Sequence, residues 1–125
     1  MGLEVRRRGE VVVLDLEGWL GQIELPPYAQ TIDALIDGGD TRLVLDVHSL
    51  TFISGGALGY LVRTSRRARE LGGEAVIARP GKYLRRFFVN SDLQRVLPLF
   101  DSVEDAVAHF GGGHEGGAPA PTGKG

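Results

Sequence analysis

Apolar residues near the start of the chain predict two β-strands. The run Val11-Val12-Val13-Leu14 is β-branched and apolar, which favours a strand with at least one buried face. Residues 3–8 precede it, and only Gly9-Glu10 separates the two segments. So short a connection predicts a hairpin.

Two later segments repeat their apolar residues with the period of a helix. The first stripe consists of Leu25, Tyr28, Ala29, Ile32, Leu35 and Ile36. The second stripe consists of Leu58, Leu61, Val62, Ser65, Ala68 and Leu71. Both follow the i, i+3, i+4, i+7 spacing of one helix face. Pro26-Pro27 suits the first turn of the first helix, and Gly38-Gly39 and Gly72-Gly73 end the two helices.

Shorter patterns predict the remaining elements. They are strands at residues 42–47 and 74–78, a short helix around Leu84, Phe87 and Phe88, a small strand near residues 97–100, and a last helix over 103–110. Ser102 precedes that last helix as an N-cap. The predicted order is β-β-α-β-α-β-α-α. Strands joined through helices form right-handed crossovers, so we expect an α/β fold with a small, largely parallel sheet that the first hairpin makes mixed.

Composition and charge narrow the class of protein. The 125 residues suit one domain, and a formal charge of −2 gives no argument for binding nucleic acid. The absence of cysteine excludes disulfides and thiolate sites. No apolar run is long enough to span a bilayer, and the first residues do not resemble a signal peptide. We expect a soluble, cytoplasmic domain without a cofactor and without membrane insertion.

Glycine and proline concentrate at the end of the chain. Seven of the 19 glycines lie in residues 111–125, where no apolar side chain is larger than alanine. Such a segment cannot bury enough surface to become ordered. We therefore predict a folded domain over residues 3–110 and a flexible tail over 111–125.

The loop around Ser54 is the first candidate for a functional site. Ser54, Gly55, Gly56 and Ala57 lie between a central strand and a helix, where α/β folds commonly bind ligands and partners. Alternatively, Ser54 only caps the helix and the glycines permit a tight turn. The loop is not a nucleotide-binding loop of the Walker type, because Tyr60 rather than lysine follows Gly59.

Other polar residues give weaker candidates. His109, His114 and Glu115 have no recognised metal-ligand spacing, so a solvated tail is the preferred interpretation. A triad of Ser54, His48 and Asp46 can be written down, but the spacing does not require it.

Basic residues cluster on two predicted helices. They are Arg63, Arg66, Arg67 and Arg69 on one, and Arg79, Lys82, Arg85 and Arg86 around the next. A solvated helix face is the preferred interpretation. The alternative is an electropositive rim for an acidic partner.

The chain resembles a STAS domain, the family of bacterial anti-sigma factor antagonists, over residues 3–110. The segments that carry the resemblance are 11–20, 42–47 with 50–53, 58–59 with 66–73, and 97–106. Their order and spacing together are specific. The resemblance implies a small mixed sheet with helices packed mainly on one face. It also implies a non-enzymatic protein that binds an anti-sigma factor, often a serine kinase, and thereby frees a sigma factor.

The resemblance also implies a partner-binding surface. It would comprise Gly21, Gln22, Ser54, Gly55, Gly56, Ala57 and Leu58. In the family, the kinase can phosphorylate a serine in an Asp-Ser-Ser-Gly loop, and the added charge ends the interaction. Here the family's Asp falls on Ser54 and its acceptor serine on Gly55, which has no hydroxyl; a second acidic position falls on Gly21. The usual switch is therefore degenerate, with Ser54 left as a candidate phosphoacceptor.

Two other functions remain open at this point. One is a STAS adaptor, either with other STAS-domain proteins in a signalling assembly or as a subunit of a lipid-transport ATPase complex. The other is a small phosphate-ligand-binding protein or hydrolase that uses the Ser54 loop to hold an anion. The loop has no lysine and no obvious general base, which argues against the second.

Overall fold

The computed structural model describes residues 3–111, and within them the chain forms seven strands and four α-helices. The strands are β1 (Leu3–Arg8), β2 (Val11–Leu16), β3 (Gly18–Leu20), β4 (Arg42–Asp46), β5 (Leu50–Ile53), β6 (Glu74–Ala78) and β7 (Leu99–Phe100). The helices are α1 (Leu25–Asp37), α2 (Gly55–Glu70), α3 (Lys82–Asn90) and α4 (Val103–His109). The tail predicted over 111–125 lies outside the described residues except for Gly111.

The main sheet has five strands in the order β1-β2-β4-β6-β7. β1 pairs antiparallel with β2 across the predicted Gly9-Glu10 turn, where Gly9 has a φ of +66°. The other neighbours are parallel, and Leu14, Leu45 and Ile77 lie in register across the centre. The predicted mixed sheet and its hairpin are confirmed.

The helices divide unequally between the two faces of this sheet. α1, α2 and α3 pack on one face, where their apolar stripes meet residues such as Leu14 and Leu45. The short helix α4 covers the opposite face and contacts the alternate residues Val13, Val44 and Val76. Three of the four described helices thus share a face, as expected, and the central strands are apolar on both sides because both sides are covered.

A second sheet, absent from the predicted order, pairs β3 with β5 in parallel. Each strand is too short to show a period of two, and they belong to segments far apart in the chain. Gly18 permits the left-handed turn, with a φ of +68°, that separates β3 from β2. The pairing brings the ends of both strands next to each other. No helix within residues 3–111 has both the length and the apolar character needed to cross a membrane.

Candidate functional site

Ser54 immediately precedes α2 and caps it. Its Oγ accepts a hydrogen bond from the backbone N–H of Ala57 at 3.1 Å, and its backbone is extended, with φ −80° and ψ 162°. This bond satisfies one of the N–H groups that have no partner inside the helix. The capping interpretation is confirmed, so any further role of the hydroxyl has to coexist with this bond.

The two loops named from the sequence lie side by side. Leu20 pairs with Ile53 across the small sheet, and the Ser54 N–H donates to the Leu20 carbonyl at 2.9 Å. The loops that follow β3 and β5 therefore begin next to each other. The residues lining the resulting open depression of about 490 Å³ include Gly21, Gln22, Ser54, Gly55 and Gly56.

The structure corrects the prediction that Ala57 and Leu58 belong to the partner-binding surface. The side chain of Ala57 is fully buried and that of Leu58 is 8% exposed, and both belong to the main core. Helix α2 begins at Gly55, so these two residues already lie on its inward face. Their side chains support the loop from below, whereas Gly55 and Gly56 are exposed.

Gly55 is the most open of the three glycines that line this depression. A Cβ built there has no heavy atom within 4 Å, and its φ is outside the left-handed region. The first turn of α2 also contains no acidic residue to offset the positive end of the helix dipole. A side chain at this position would point into free space without disturbing the fold.

Large apolar side chains surround the depression, and sequence reasoning missed them. Trp19 is 59% exposed and stacks on Phe52 with 4.1 Å between the ring centroids, and Ile23 is 88% exposed. All three side chains line the depression next to Ser54. Apolar area this exposed is typical of protein-binding surfaces. The available signal was that these residues fit no helical stripe and no recognised core strand.

The side chain of Glu24 occupies the space beside Gly21. Its N–H donates to Glu24 Oε1 at 3.0 Å, and that oxygen lies 2.9 Å from where a Cβ at position 21 would stand. The indole Nε1 of Trp19 lies 3.1 Å from the same point. A carboxylate thus occupies the place of a side chain at Gly21, although the sequence suggested that acidic character is missing there.

Comparison with known proteins identifies the fold family. A model described as the STAS domain matches residues 3–106. The chain belongs to the STAS domain family. BtrV of Bordetella bronchiseptica, named as a candidate anti-sigma factor antagonist, is 26% identical over 110 residues, which cover 88% of this chain and 95% of BtrV.

Solved structures agree with this STAS assignment. An anti-sigma factor antagonist from Mycobacterium paratuberculosis superimposes with a TM-score of 0.76 at 22% identity, covering 86% of this chain and 91% of that one. SpoIIAA, a Bacillus cell fate determinant solved in its phosphorylated form, gives a TM-score of 0.69 at 21% identity, with 86% and 98% covered. At these identities the likeness shows the fold, so the resemblance predicted from the sequence is confirmed.

Asp46 of the STAS domain is not available for a catalytic triad. Its carboxylate is 2% exposed and accepts two hydrogen bonds from Arg79, at 3.1 and 2.7 Å, and one from the backbone N–H of His48. Burial alone would raise the pKa of Asp46, but the Arg79 hydrogen bond, the His48 N–H and nearby positive charge outweigh it and lower the pKa. The group is held as a structural anion, which weakens the hydrolase alternative.

Half of the residues in the two basic clusters form ion pairs with carboxylates. Arg67 pairs with Asp37, Arg69 with Glu74, Arg79 with Asp46 and Arg85 with Asp101. The cations that form no ion pair with a described residue are Arg63, Arg66, Lys82 and Arg86. Half of the clustered charge is therefore engaged in ion pairs. For the other half, a solvated helix face stays the preferred interpretation and an electropositive rim for an acidic partner stays the alternative.

The two histidines within residues 3–111, His48 and His109, have different surroundings. His109 Nε2 lies 2.8 Å from Glu74 Oε1, His48 follows β4, and His114 is outside the described residues. Within residues 3–111, no group of three or more His, Asp or Glu side chains is placed to hold a metal ion.

Proposed function

We propose that this STAS domain is a cytoplasmic, non-enzymatic anti-sigma factor antagonist that acts by partner switching. The observation that carries the proposal is the exposed surface at the Ser54 loop, where Trp19, Phe52 and Ile23 flank Gly55 and Gly56. This surface combines apolar area with backbone that a partner can approach closely. The names of BtrV and of the Mycobacterium paratuberculosis protein support an anti-sigma factor as the partner. The resemblance described from the sequence adds that such a partner is often a serine kinase.

The proposed function differs from the family pattern described from the sequence in its phosphorylation switch. Gly55 offers no hydroxyl where the resemblance places the acceptor, so we propose a constitutive binder that the usual kinase reaction does not release. Ser54 has the nearest hydroxyl, and its Oγ already accepts the Ala57 N–H. A phosphate on Ser54 would add about −1.5 to −2 charge at the binding surface and would be the alternative form of the switch.

An affinity pull-down from the native cytoplasm, with phosphosite mapping of the recovered protein, tests both statements. We expect a histidine-kinase-like anti-sigma factor to be recovered with no phosphate on the loop. The same partner with Ser54 phosphorylated would replace the constitutive binder by a switch shifted one residue along the chain. Recovery of only transporter subunits or other STAS-domain proteins would overturn the sigma-factor function and leave an adaptor.

A designed pair of variants tests the loop directly. Gly55→Ser restores a hydroxyl at the open position, and Gly55→Ala adds the same Cβ without one. With the recovered kinase and ATP, we expect phosphate on the Ser variant and none on the Ala variant. No label on the Ser variant would contradict position 55 as the acceptor position, and label on the loop of the unaltered chain would contradict the constitutive binder.

A further inference from the structure

A second groove shares Trp19 and Glu24 with the depression beside Ser54 but is otherwise lined by different residues. It encloses about 810 Å³ between β3 and the start of α1, and Trp19, Pro27 and Tyr28 supply apolar walls. Glu17 and Glu24 supply its charge. The groove is thus lined by aromatic rings and carboxylates together.

The two carboxylates of the groove are not neutralised by the described part of the chain. Residues 3–111 place no lysine or arginine in ion-pair contact with Glu17 or Glu24, and neither residue type lines the groove. Within residues 3–111, the Glu24 carboxylate accepts one hydrogen bond, from the uncharged N–H of Gly21. Other carboxylates within residues 3–111, such as Asp15, Asp40 and Asp46, do have an arginine partner. The groove therefore favours a positive charge from outside.

Trp19 makes this groove selective for the kind of cation. Its indole is held by stacking on Phe52 while 59% of the residue stays exposed. An indole is the aromatic ring that attracts cations most strongly. Arginine is the cation that fits both features, because its planar guanidinium stacks on rings and bonds carboxylates through several N–H groups.

We propose that this groove docks an arginine side chain from the protein that binds the Ser54 surface. Trp19 and Glu24 line both the groove and the depression beside Ser54, so one partner segment crossing Trp19 reaches both. This inference rests on the proposed function for the identity of the partner, but the groove's preference for arginine does not. The charge of Glu17 and Glu24 and the ring of Trp19 would fix where that segment lies.

Trp19 is the only tryptophan of the chain, so its fluorescence reports on the groove directly. The probes are acetyl-Leu-Arg-Leu-amide and the same peptide with citrulline, which keeps the shape of arginine without its charge. At low ionic strength we expect the arginine peptide to bind at least about fivefold more tightly. Equal affinities of the two peptides would overturn the proposal.

Three variants locate the binding. Glu17→Gln and Glu24→Gln should each weaken the arginine peptide by about three- to tenfold, and Gln at 24 can still accept the Gly21 N–H. Glu70→Gln, at the exposed end of α2, removes the same charge outside the groove and should change nothing. A loss of affinity in the Glu70 variant equal to that in the groove variants would show general charge attraction and refute the site.

Two further comparisons complete the test. N-acetyl-arginine amide should bind more weakly than the peptide; equal binding would indicate a site for a free guanidinium compound and would refute docking of a chain segment. Unchanged thermal melting of each variant shows that the fold is intact. The titration uses no anti-sigma factor, so its failure leaves the proposed function standing, and a pull-down that fails leaves the measured peptide affinities as they are.

Discussion

Gly55→Asp should stabilise the isolated domain and weaken its binding to a partner. The structure places position 55 at the first residue of α2, with no heavy atom within 4 Å of a built Cβ. A carboxylate there meets the positive end of a helix that has no acidic residue in its first turn. The helix-dipole interaction contributes about 0.3–1 kcal/mol, and replacing glycine in a helix adds a few tenths of a kcal/mol.

The expected change in stability is small but measurable. For a domain of this size, 1 kcal/mol raises the melting temperature by about 4 °C, so we expect a rise of roughly 2–5 °C by calorimetry. Gly55→Ala is the matched control, because it adds the Cβ and not the charge. A fall in melting temperature for the Asp variant would refute the open environment that the structure assigns to position 55.

The effect on binding has the opposite sign. Titration against the anti-sigma factor recovered by pull-down should show affinity lowered at least about tenfold in the Asp variant, because the new charge must lose water inside the interface. The Ala variant should lose less. Unchanged affinity of the Asp variant would remove Gly55 from the binding surface, whatever the melting temperature does.

The remaining predictions concern stability. Ser54→Ala should cost about 1 kcal/mol by removing the cap on the Ala57 N–H, whereas Ser54→Asp should retain it; equal melting temperatures for the two would contradict the cap. Asp46→Asn should cost about 1–3 kcal/mol at pH 7 by urea unfolding. Because the fold lowers the pKa of Asp46, its contribution is present above the unfolded pKa and is lost as pH falls through the folded one. The cost should therefore shrink at low pH, and an equal cost at pH 7 and pH 3 would refute it. Truncation after Phe110 should leave the melting temperature within about 2 °C, since the described core residues on both faces of the main sheet all lie at or before Phe110; a large fall would show that the tail packs on the domain.

The periodic parts of the fold were predictable because their signal is local. The stripe of α1, the hairpin of β1 and β2 and the cap at Ser102 appear where the sequence places them. The stripe of α2 also appears, except that Leu71 lies beyond the end of the helix and is 56% exposed. The Ser102 Oγ accepts the Asp105 N–H at 3.0 Å, as the predicted cap requires. Each of these features depends on residues within a few positions of one another.

The candidate site was predictable in part. Gly21, Gln22, Ser54, Gly55 and Gly56 were grouped through the resemblance to STAS domains, and the structure brings them to one depression. The exposure of each residue in the loop could not be predicted, because a run such as Gly-Gly-Ala-Leu does not reveal which side chain is the first to face the core. The same limit concealed the Trp19 side chain, since an isolated tryptophan is as compatible with a core as with a surface.

By itself, the sequence determined the class of the fold and the order of its main strands and helices. These follow from periodicity, glycine and proline placement, and residue identity, which need no knowledge of distant contacts. Only the tertiary structure decided that β3 pairs with β5 and that the carboxylate of Glu24 occupies the space beside Gly21. It also decided that Trp19 stacks on Phe52 and lines both the groove at Glu17 and the depression beside Ser54. The physical reason is that pairing, burial and charge complementarity arise between segments that are close in space and, at the β3–β5 pair, remote in the chain.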